Sequence, residues 1–153
     1  MPESVTDIGS YAFSSCGGLF SGDYGKKTSD KYAVEDFFKN IKTIGQFAFV
    51  NTSITDLVIG NETTYLGRRA FRSITSPLRG SALKTVQIGS QAGNGSKLDL
   101  TICGTEIFSN NQGSIESITC YFADNNTYET FINNYCFAGG DIIPANTQNA
   151  WGK

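Results

Sequence analysis

The sequence predicts an α/β repeat fold: a solenoid with a short parallel β ladder on one side, irregular or short helical turns on the other, and a helical cap at its C-terminal end. A six-residue phrase, aliphatic–Gly–x–x–Ala–Phe, occurs three times, and a strand-like phrase with apolar residues at its first, fourth and sixth positions also occurs three times. Ile44 and Leu66 begin two copies of the first phrase and lie 22 residues apart, within the roughly 20–50-residue periods of repeat architectures. Such a unit cannot bury its apolar face alone and must stack on a neighbouring copy.

The six-residue phrase, called the hexad below, supplies the predicted interior of the solenoid. Its copies are Ile8–Phe13, Ile44–Phe49 and Leu66–Phe71, and Cys103–Phe108 is a degenerate fourth copy that keeps only the Gly and the Phe. We interpret the Ala as small because backbones approach one another there. The Phe is the side chain that fills the space between layers.

The strand-like phrase predicts the β ladder. It occurs as Ile54–Ile59, Leu83–Ile88 and Ile115–Cys120, and its last apolar positions alternate with a polar or small residue, the period of a half-buried strand. Stacked copies place these strands side by side in parallel, so the side chains that point away from the core form one mildly polar face. We weigh two interpretations of this face, an ordinary solvated surface and a partner-binding surface. Its residues are Asp56, Val58, Thr85, Gln87, Ser117 and Thr119.

A single leucine-rich-repeat-like domain, 1–153, is the predicted organisation, with repeats in about 1–120 and a cap in about 121–153. The spacing of the hexads indicates insertions near 20–40 and 89–97. The second insertion is rich in Gly and Ser and predicts a surface loop. The first ends in apolar pairs spaced i, i+4, which predict a short helix. These pairs are Ala33 with Phe37 and Val34 with Phe38.

A helical apolar stripe marks the C-terminal segment. Asn126, with Glu129 three residues later, is the predicted N-cap, and Gly139 and Gly140 are expected to end the helix. The alternative is a fifth hexad, Ile132–Phe137. We favour a helix that acts as a lid, because the last strand of a solenoid needs its exposed side covered. The stripe consists of Tyr128, Phe131, Ile132, Tyr135 and Cys136.

Composition argues against several classes of function. The net charge of −2 offers no basic footprint for nucleic acid. The chain has no histidine, the commonest general base and metal ligand, and its acidic residues form no pair suited to general acid–base work. Gly25–Thr28 resembles a phosphate loop only superficially, because the required first glycine is replaced by Phe20. We therefore predict no enzyme, no cofactor and no metal.

Membrane, targeting and cysteine signals are similarly uninformative about chemistry. No apolar run approaches the roughly 18 residues of a membrane span, and Met1–Asp7 has neither the basic stretch nor the apolar core of a signal peptide. The four cysteines fall on inward columns and predict buried, inert thiols, with a disulfide or a metal site as the alternatives; they are Cys16, Cys103, Cys120 and Cys136. Four glycosylation sequons are interpreted as polar turns; they begin at Asn51, Asn61, Asn94 and Asn125.

Two further features concern partners. The residue just before Ala in the three good hexads is Tyr11, Phe47 or Arg69, and stacking brings these residues into one column. Simple packing between turns is the favoured interpretation, and a cation–π ladder or an anchor for a partner is the alternative. Val5 begins a good repeat with almost nothing before it, so we expect an uncovered strand edge at the N-terminal end. Either a preceding segment is missing or another chain covers this edge, and a homo-oligomer built through it is the hypothesis that follows.

Val5–Cys16 resembles, nearly residue for residue, the repeat of the BspA-type leucine-rich repeats. Their ~23-residue unit reads approximately Leu-x-x-Ile-x-Ile-Pro-x-x-Val-x-x-Ile-Gly-x-x-Ala-Phe-x-x-Cys, and Ile118–Pro144 is similar to the closing module of such arrays. The resemblance implies a surface-exposed protein of the kind found in bacteria and some protists, acting in adhesion and protein binding, and therefore a secreted or cell-surface location.

The leading functional hypothesis is a non-catalytic protein-binding or adhesion module whose partner is a protein or a surface glycan. The main alternative is a structural subunit of an assembly built through the uncovered N-terminal edge. A hydrolase is a third, disfavoured class. Contacts with the partner are expected on the polar strand face and on the column of Tyr11, Phe47 and Arg69.

Overall fold

The computed structural model describes residues 1–16, 31–52, 54–72, 83–110 and 114–153. Its strands are all short: β1 (Asp7–Ile8), β2 (Thr43–Ile44), β3 (Asp56–Ile59), β4 (Tyr65–Leu66), β5 (Thr85–Ile88), β6 (Ser117–Cys120) and β7 (Asn146–Asn149). Helix α1 spans Lys31–Phe38, and helix α2 spans Asn125–Thr130 and continues into a π-helical turn, Phe131–Tyr135.

The strands form two parallel sheets. Sheet A has the order β1–β2–β4, and sheet B has the order β3–β5–β6–β7. The predicted parallel ladder is sheet B, in which Ile59, Ile88 and Cys120 lie in register on neighbouring strands. Sheet A was not predicted, because strands of two residues carry no detectable alternation. Strand β7 was also missed, since Asn146–Asn149 has no apolar side chain to mark it.

Successive hexads are joined to one another by backbone hydrogen bonds. The N–H of Tyr11 donates to the carbonyl of Gln46 at 3.0 Å, and the N–H of Phe47 donates to the carbonyl of Arg68 at 3.1 Å. The donating residue has a left-handed backbone in each hexad, with φ of 60° at Tyr11 and 55° at Phe47. A non-glycine residue with this conformation costs of order 1 kcal/mol or more. The repeated hydrogen bonds between hexads hold the strained conformation in place.

The hexad phenylalanines stack as the sequence predicts. Ring centroids are 5.2 Å apart between Phe13 and Phe49, 5.2 Å apart between Phe49 and Phe71, and 5.9 Å apart between Phe71 and Phe108. The degenerate fourth hexad therefore takes its place in the same column. Offset ring pairs at this spacing stabilise the fold beyond what the burial of the rings alone contributes.

The alanine of the hexad is buried in the inner turns of the stack and exposed in the first turn. Ala48 and Ala70 are fully buried, in agreement with the prediction. Ala12 is exposed, because the first hexad has a neighbour on one side only within the described part of the chain. The expectation that every hexad alanine fills the interior is thus wrong for Ala12.

Helix α1 confirms the helix predicted in the first insertion and changes the picture of the N-terminal end. It packs against β3 and contributes Val34 and Phe38 to the core. The first strand of sheet B therefore has a helix beside it. The uncovered edge expected from the sequence is confined to β1 of sheet A, among the described residues.

The C-terminal helix is present, but its beginning differs from the prediction. Asp124, not Asn126, is the N-cap, and its carboxylate accepts a hydrogen bond from the N–H of Asn126 at 3.0 Å. The alternative of a fifth hexad also has a structural counterpart. The carbonyl of Cys136 accepts from the N–H of Phe108 at 2.8 Å, as the carbonyl of Ala70 accepts from Phe49. Cys136, just after the π-helical turn, thus takes the place that the alanine has in a further hexad.

The cysteines are free thiols in different environments. Cys120 and Cys136 are buried as predicted, and burial raises the pKa of both thiols. Cys103 is only partly buried, and burial raises the pKa of its thiol too. The prediction is wrong for Cys16, which is exposed. Cys16 follows the first hexad and, as at Ala12, no earlier turn among the described residues covers it.

Candidate partner-binding surfaces

The outward face of sheet B brings together all six strand residues that the sequence selects. Asp56, Thr85 and Ser117 lie in register, and the same register aligns the outward residues two positions later, Val58, Gln87 and Thr119. Together they line a groove of about 400 Å³. This groove is called the sheet B groove below.

Strand β7 extends the same face by one more row. Asn146 lies in register with Ser117, and Gln148 lies in register with Thr119. Both β7 side chains are exposed. These two residues could not be predicted from the sequence, because the usable signal is a periodic apolar residue and β7 has none.

Hydrogen bonds fix several side chains in the groove. The hydroxyl of Thr85 donates to the carboxylate of Asp56, and the amide of Gln87 donates to the carbonyl of Gly89 at 2.9 Å. Val58 lines the groove but is only 5% exposed. It lies outside the main core cluster and on the groove side of the sheet, in agreement with a side chain that points away from the core, although little of it is exposed.

The hexad column is a continuous line of contacts across the turns. The rings of Tyr11 and Phe47 stack with their centroids 5.0 Å apart, and the Arg69 guanidinium lies 5.9 Å from the centre of the Phe47 ring. Arg69 Nε is 2.7 Å from Glu106 Oε2, and Arg68 contacts the same carboxylate oxygen at 2.9 Å. Tyr11 ends the column and is 56% exposed.

Glu106 is the member of the column that sequence reasoning missed. It lies in the degenerate fourth hexad, at the position of Arg69, and has the same left-handed backbone with φ of 55°. The hydrogen bond from Arg69, followed by the positive charges of Arg69 and Arg68, lowers the pKa of the Glu106 carboxyl group, although partial burial opposes the shift. The column therefore runs from two aromatic rings to an ion pair.

The described residues contain no arrangement that suggests metal chemistry or a membrane span. No three or more Asp, Glu or Cys side chains converge within the described ranges as a metal site would require. None of the described helices is long and apolar enough to cross a bilayer.

Comparison with known families agrees with these stacked turns. A model described as the BspA type leucine-rich repeat region matches residues 1–143 in six copies. The chain belongs to the BspA-type leucine-rich repeat family. The resemblance noted in the sequence is thereby confirmed. No curated protein and no solved structure gives a significant match to the chain.

Membership in the leucine-rich repeat family indicates a solenoid of protein-interaction type. Leucine-rich repeats generally mediate protein binding and are typically non-catalytic. The parallel strands and few helices of this leucine-rich repeat protein agree with that class. Repeat proteins of this kind use extended concave surfaces to bind their partners.

Proposed function

We propose that this leucine-rich repeat protein is a non-catalytic protein-binding module whose partner docks in the sheet B groove. The observation that carries the proposal is the in-register alignment of the outward side chains on β3, β5 and β6. Side chains already held by hydrogen bonds, such as Thr85 and Gln87, lose little conformational entropy when a partner binds.

The composition of the groove favours a protein over a glycan at this face. The lining residues include one carboxylate, Asp56, with hydroxyl and amide groups and no aromatic side chain. A partner that presents hydrogen-bond donors matches this surface. A sugar would find no aromatic side chain in the groove on which to stack. Four strands about 4.8 Å apart make the face roughly 14 Å wide. Adhesion at a cell surface, as the family resemblance implies, is the proposed setting.

Charged substitutions in the groove test the proposal. Peptides selected from a displayed library against the immobilised protein are expected to lose at least tenfold in affinity for Gln87→Arg and for Thr119→Arg, because each arginine fills part of the groove. Thr105→Arg, at an exposed position outside the groove, is the matched control and should leave affinity unchanged. Surface plasmon resonance measures the affinities, and thermal denaturation checks that each variant remains folded. Equal binding to all three variants would reject the groove as the site.

A structural subunit is the second candidate, and a specific observation favours it. Inside the stack, the carbonyls of Gln46 and Ala48 accept N–H groups from the preceding hexad. The equivalent carbonyls of Ser10 and Ala12 receive no hydrogen bond from the described residues. An additional turn, provided by a second copy, would satisfy these groups and cover the exposed ring of Tyr11.

Light scattering tests this association. The protein is expected to form dimers or larger species as its concentration rises through the micromolar range, and Tyr11→Arg is expected to shift it toward the monomer by adding charge at the uncovered end. Thr105→Arg again serves as the control. Negative-stain microscopy separates discrete particles from rings or fibres. A monomer at every concentration would contradict the assembly role while leaving the groove proposal intact.

We also propose that the segment 121–153 acts as the cap of the stack. Phe131 and Ile132 are buried in the π-helical turn, and the Phe131 ring lies 5.5 Å from that of Phe122, just after β6. This packing supports a role for the helix in covering the interior at the C-terminal end.

A further inference from the structure

A second cleft, of about 580 Å³, lies between the turn at 98–101 and the helix α2 with its π-helical turn. The cleft is broad and open to solvent, and most of its polar lining residues are exposed. It shares no lining residue with the sheet B groove. Its polar side chains come from both walls and include Asp99, Thr101, Asp124, Asn126 and Thr130, with the ring of Tyr135 beside them.

The two carboxylates of this cleft are held in place by local hydrogen bonds. Asp99 Oδ1 accepts from the N–H of Thr101 at 3.0 Å and from the Thr101 hydroxyl. Asp124 accepts from the N–H of Asn126 at 3.0 Å and from the Thr127 hydroxyl at 2.8 Å. The hydrogen bonds from Thr127 and Asn126 lower the pKa of Asp124. Both carboxylates are therefore fixed acceptors, and Asp99 Oδ2 has no partner among the described residues.

The rest of the lining supplies groups that both donate and accept. The side-chain amide of Asn126 and the hydroxyls of Thr130 and Tyr135 have no hydrogen-bond partner within the described part of the chain. An amide offers two donors and a carbonyl acceptor, and a hydroxyl both donates and accepts. The cleft thus combines fixed acceptors, adaptable donors and the half-buried aromatic ring of Tyr135.

We propose that this cleft binds a neutral oligosaccharide. Each sugar hydroxyl both donates and accepts, so a row of them pairs with carboxylates and with amide or hydroxyl groups at once, while the apolar side of a sugar ring covers the Tyr135 ring. An anionic ligand would meet two carboxylates and no basic residue in the lining. A lysine or arginine side chain only donates and would leave the donors of Asn126 unused.

This inference goes beyond the proposed protein binding and is tested separately from it. Neutral tetrasaccharides of glucose, mannose, galactose and N-acetylglucosamine serve as probes at millimolar concentration, followed by saturation-transfer NMR and calorimetry. At least one should bind, and Asn126→Ala and Thr130→Ala should each weaken it roughly three- to tenfold, the effect of one lost hydrogen bond. Because the ligand is uncharged, its affinity should not change between low and high salt.

Asn134→Ala is the matched control, since Asn134 is an exposed asparagine of the same helical segment that does not line the cleft. It should leave sugar affinity unchanged, as should Gln87→Arg in the sheet B groove. Three results would overturn the inference: no tetrasaccharide binds; the affinity is the same in Asn126→Ala and in the unaltered protein; or only a lysine-rich peptide or calcium binds the cleft. None of these results bears on the peptide affinities that test the sheet B groove.

Discussion

Gly67→Ala is expected to destabilise the protein by about 4–5 kcal/mol, a large share of the roughly 5–15 kcal/mol that stabilises an ordinary domain. A Cβ atom at position 67 would lie 2.6 Å from the carbonyl carbon of Gly45 and closer still to the backbone nitrogen of Gln46. These are backbone atoms, so no side-chain rotation relieves the clash. Urea denaturation followed by circular dichroism measures the loss, and a collapse of soluble expression is the extreme form of the same result.

The first hexad supplies a matched control for this substitution. Gly9 occupies the same position as Gly67, but a Cβ built there meets no atom within 4 Å. Gly9→Ala is therefore expected to change the free energy of unfolding by no more than about 0.5 kcal/mol. If Gly67→Ala were tolerated as well as Gly9→Ala, the backbones of neighbouring hexads would not approach as closely as the structure indicates.

The same pair of variants also bears on the N-terminal edge. Gly9 lies on the side of the first hexad that no described residue covers, whereas Gly45 and Gly67 each face the preceding turn. If a second copy covers this edge, a methyl group at position 9 meets the backbone of that copy. Gly9→Ala should then weaken self-association in light scattering while leaving the stability of the monomer unchanged.

The sequence predicted those parts of the fold in which apolar residues recur at regular spacing. The spacing of aliphatic residues in Ile115–Cys120 indicated β6, and Phe71 and Phe108 marked two turns of one stack. The same pattern could not show why the hexad glycine is required. That reason is the approach of two backbones at Gly67, which depends on the distance between turns and not on the local conformation of one turn.

The remaining misses have physical causes of two kinds. Polar elements carry no periodic signal, which explains why β7, with Asn146 and Gln148 on the outward face of sheet B, was not predicted. The burial of a residue also depends on where its repeat lies in the stack, which the sequence of one repeat does not show. Cys16 has the usual place of a cysteine in its repeat and is nevertheless exposed, because its turn is the first of the described stack. The residues of the sheet B groove could be predicted because they recur at the same positions of successive strand phrases. The cleft beside Asp124 could not, because it lies between a turn and a helix that are far apart in the sequence.

Phe49→Ala is expected to be the most damaging truncation of the phenylalanine column, at about 3–5 kcal/mol. Phe49 is 2% exposed and stacks on one side against Phe13 and on the other against Phe71, with interplanar angles of 13° and 5°. Its edge also meets Phe38 of helix α1 at 5.2 Å. The substitution therefore leaves a cavity that touches two turns and the helix beside β3. Urea denaturation measures the loss, and Phe49→Leu gives a smaller, measurable loss if the alanine variant does not fold.

Phe13→Ala is the control, because Phe13 has the same place in its hexad but ends the column and is half-buried. Removing it should cost about 1–1.5 kcal/mol, roughly half of the free energy gained by fully burying such a side chain, and clearly less than the loss at Phe49. The difference between the two losses in unfolding free energy measures how much a second neighbouring turn stabilises a phenylalanine ring that already has one. Equal losses in the monomer would contradict the stacked column, because a terminal and an interior phenylalanine would then have the same surroundings.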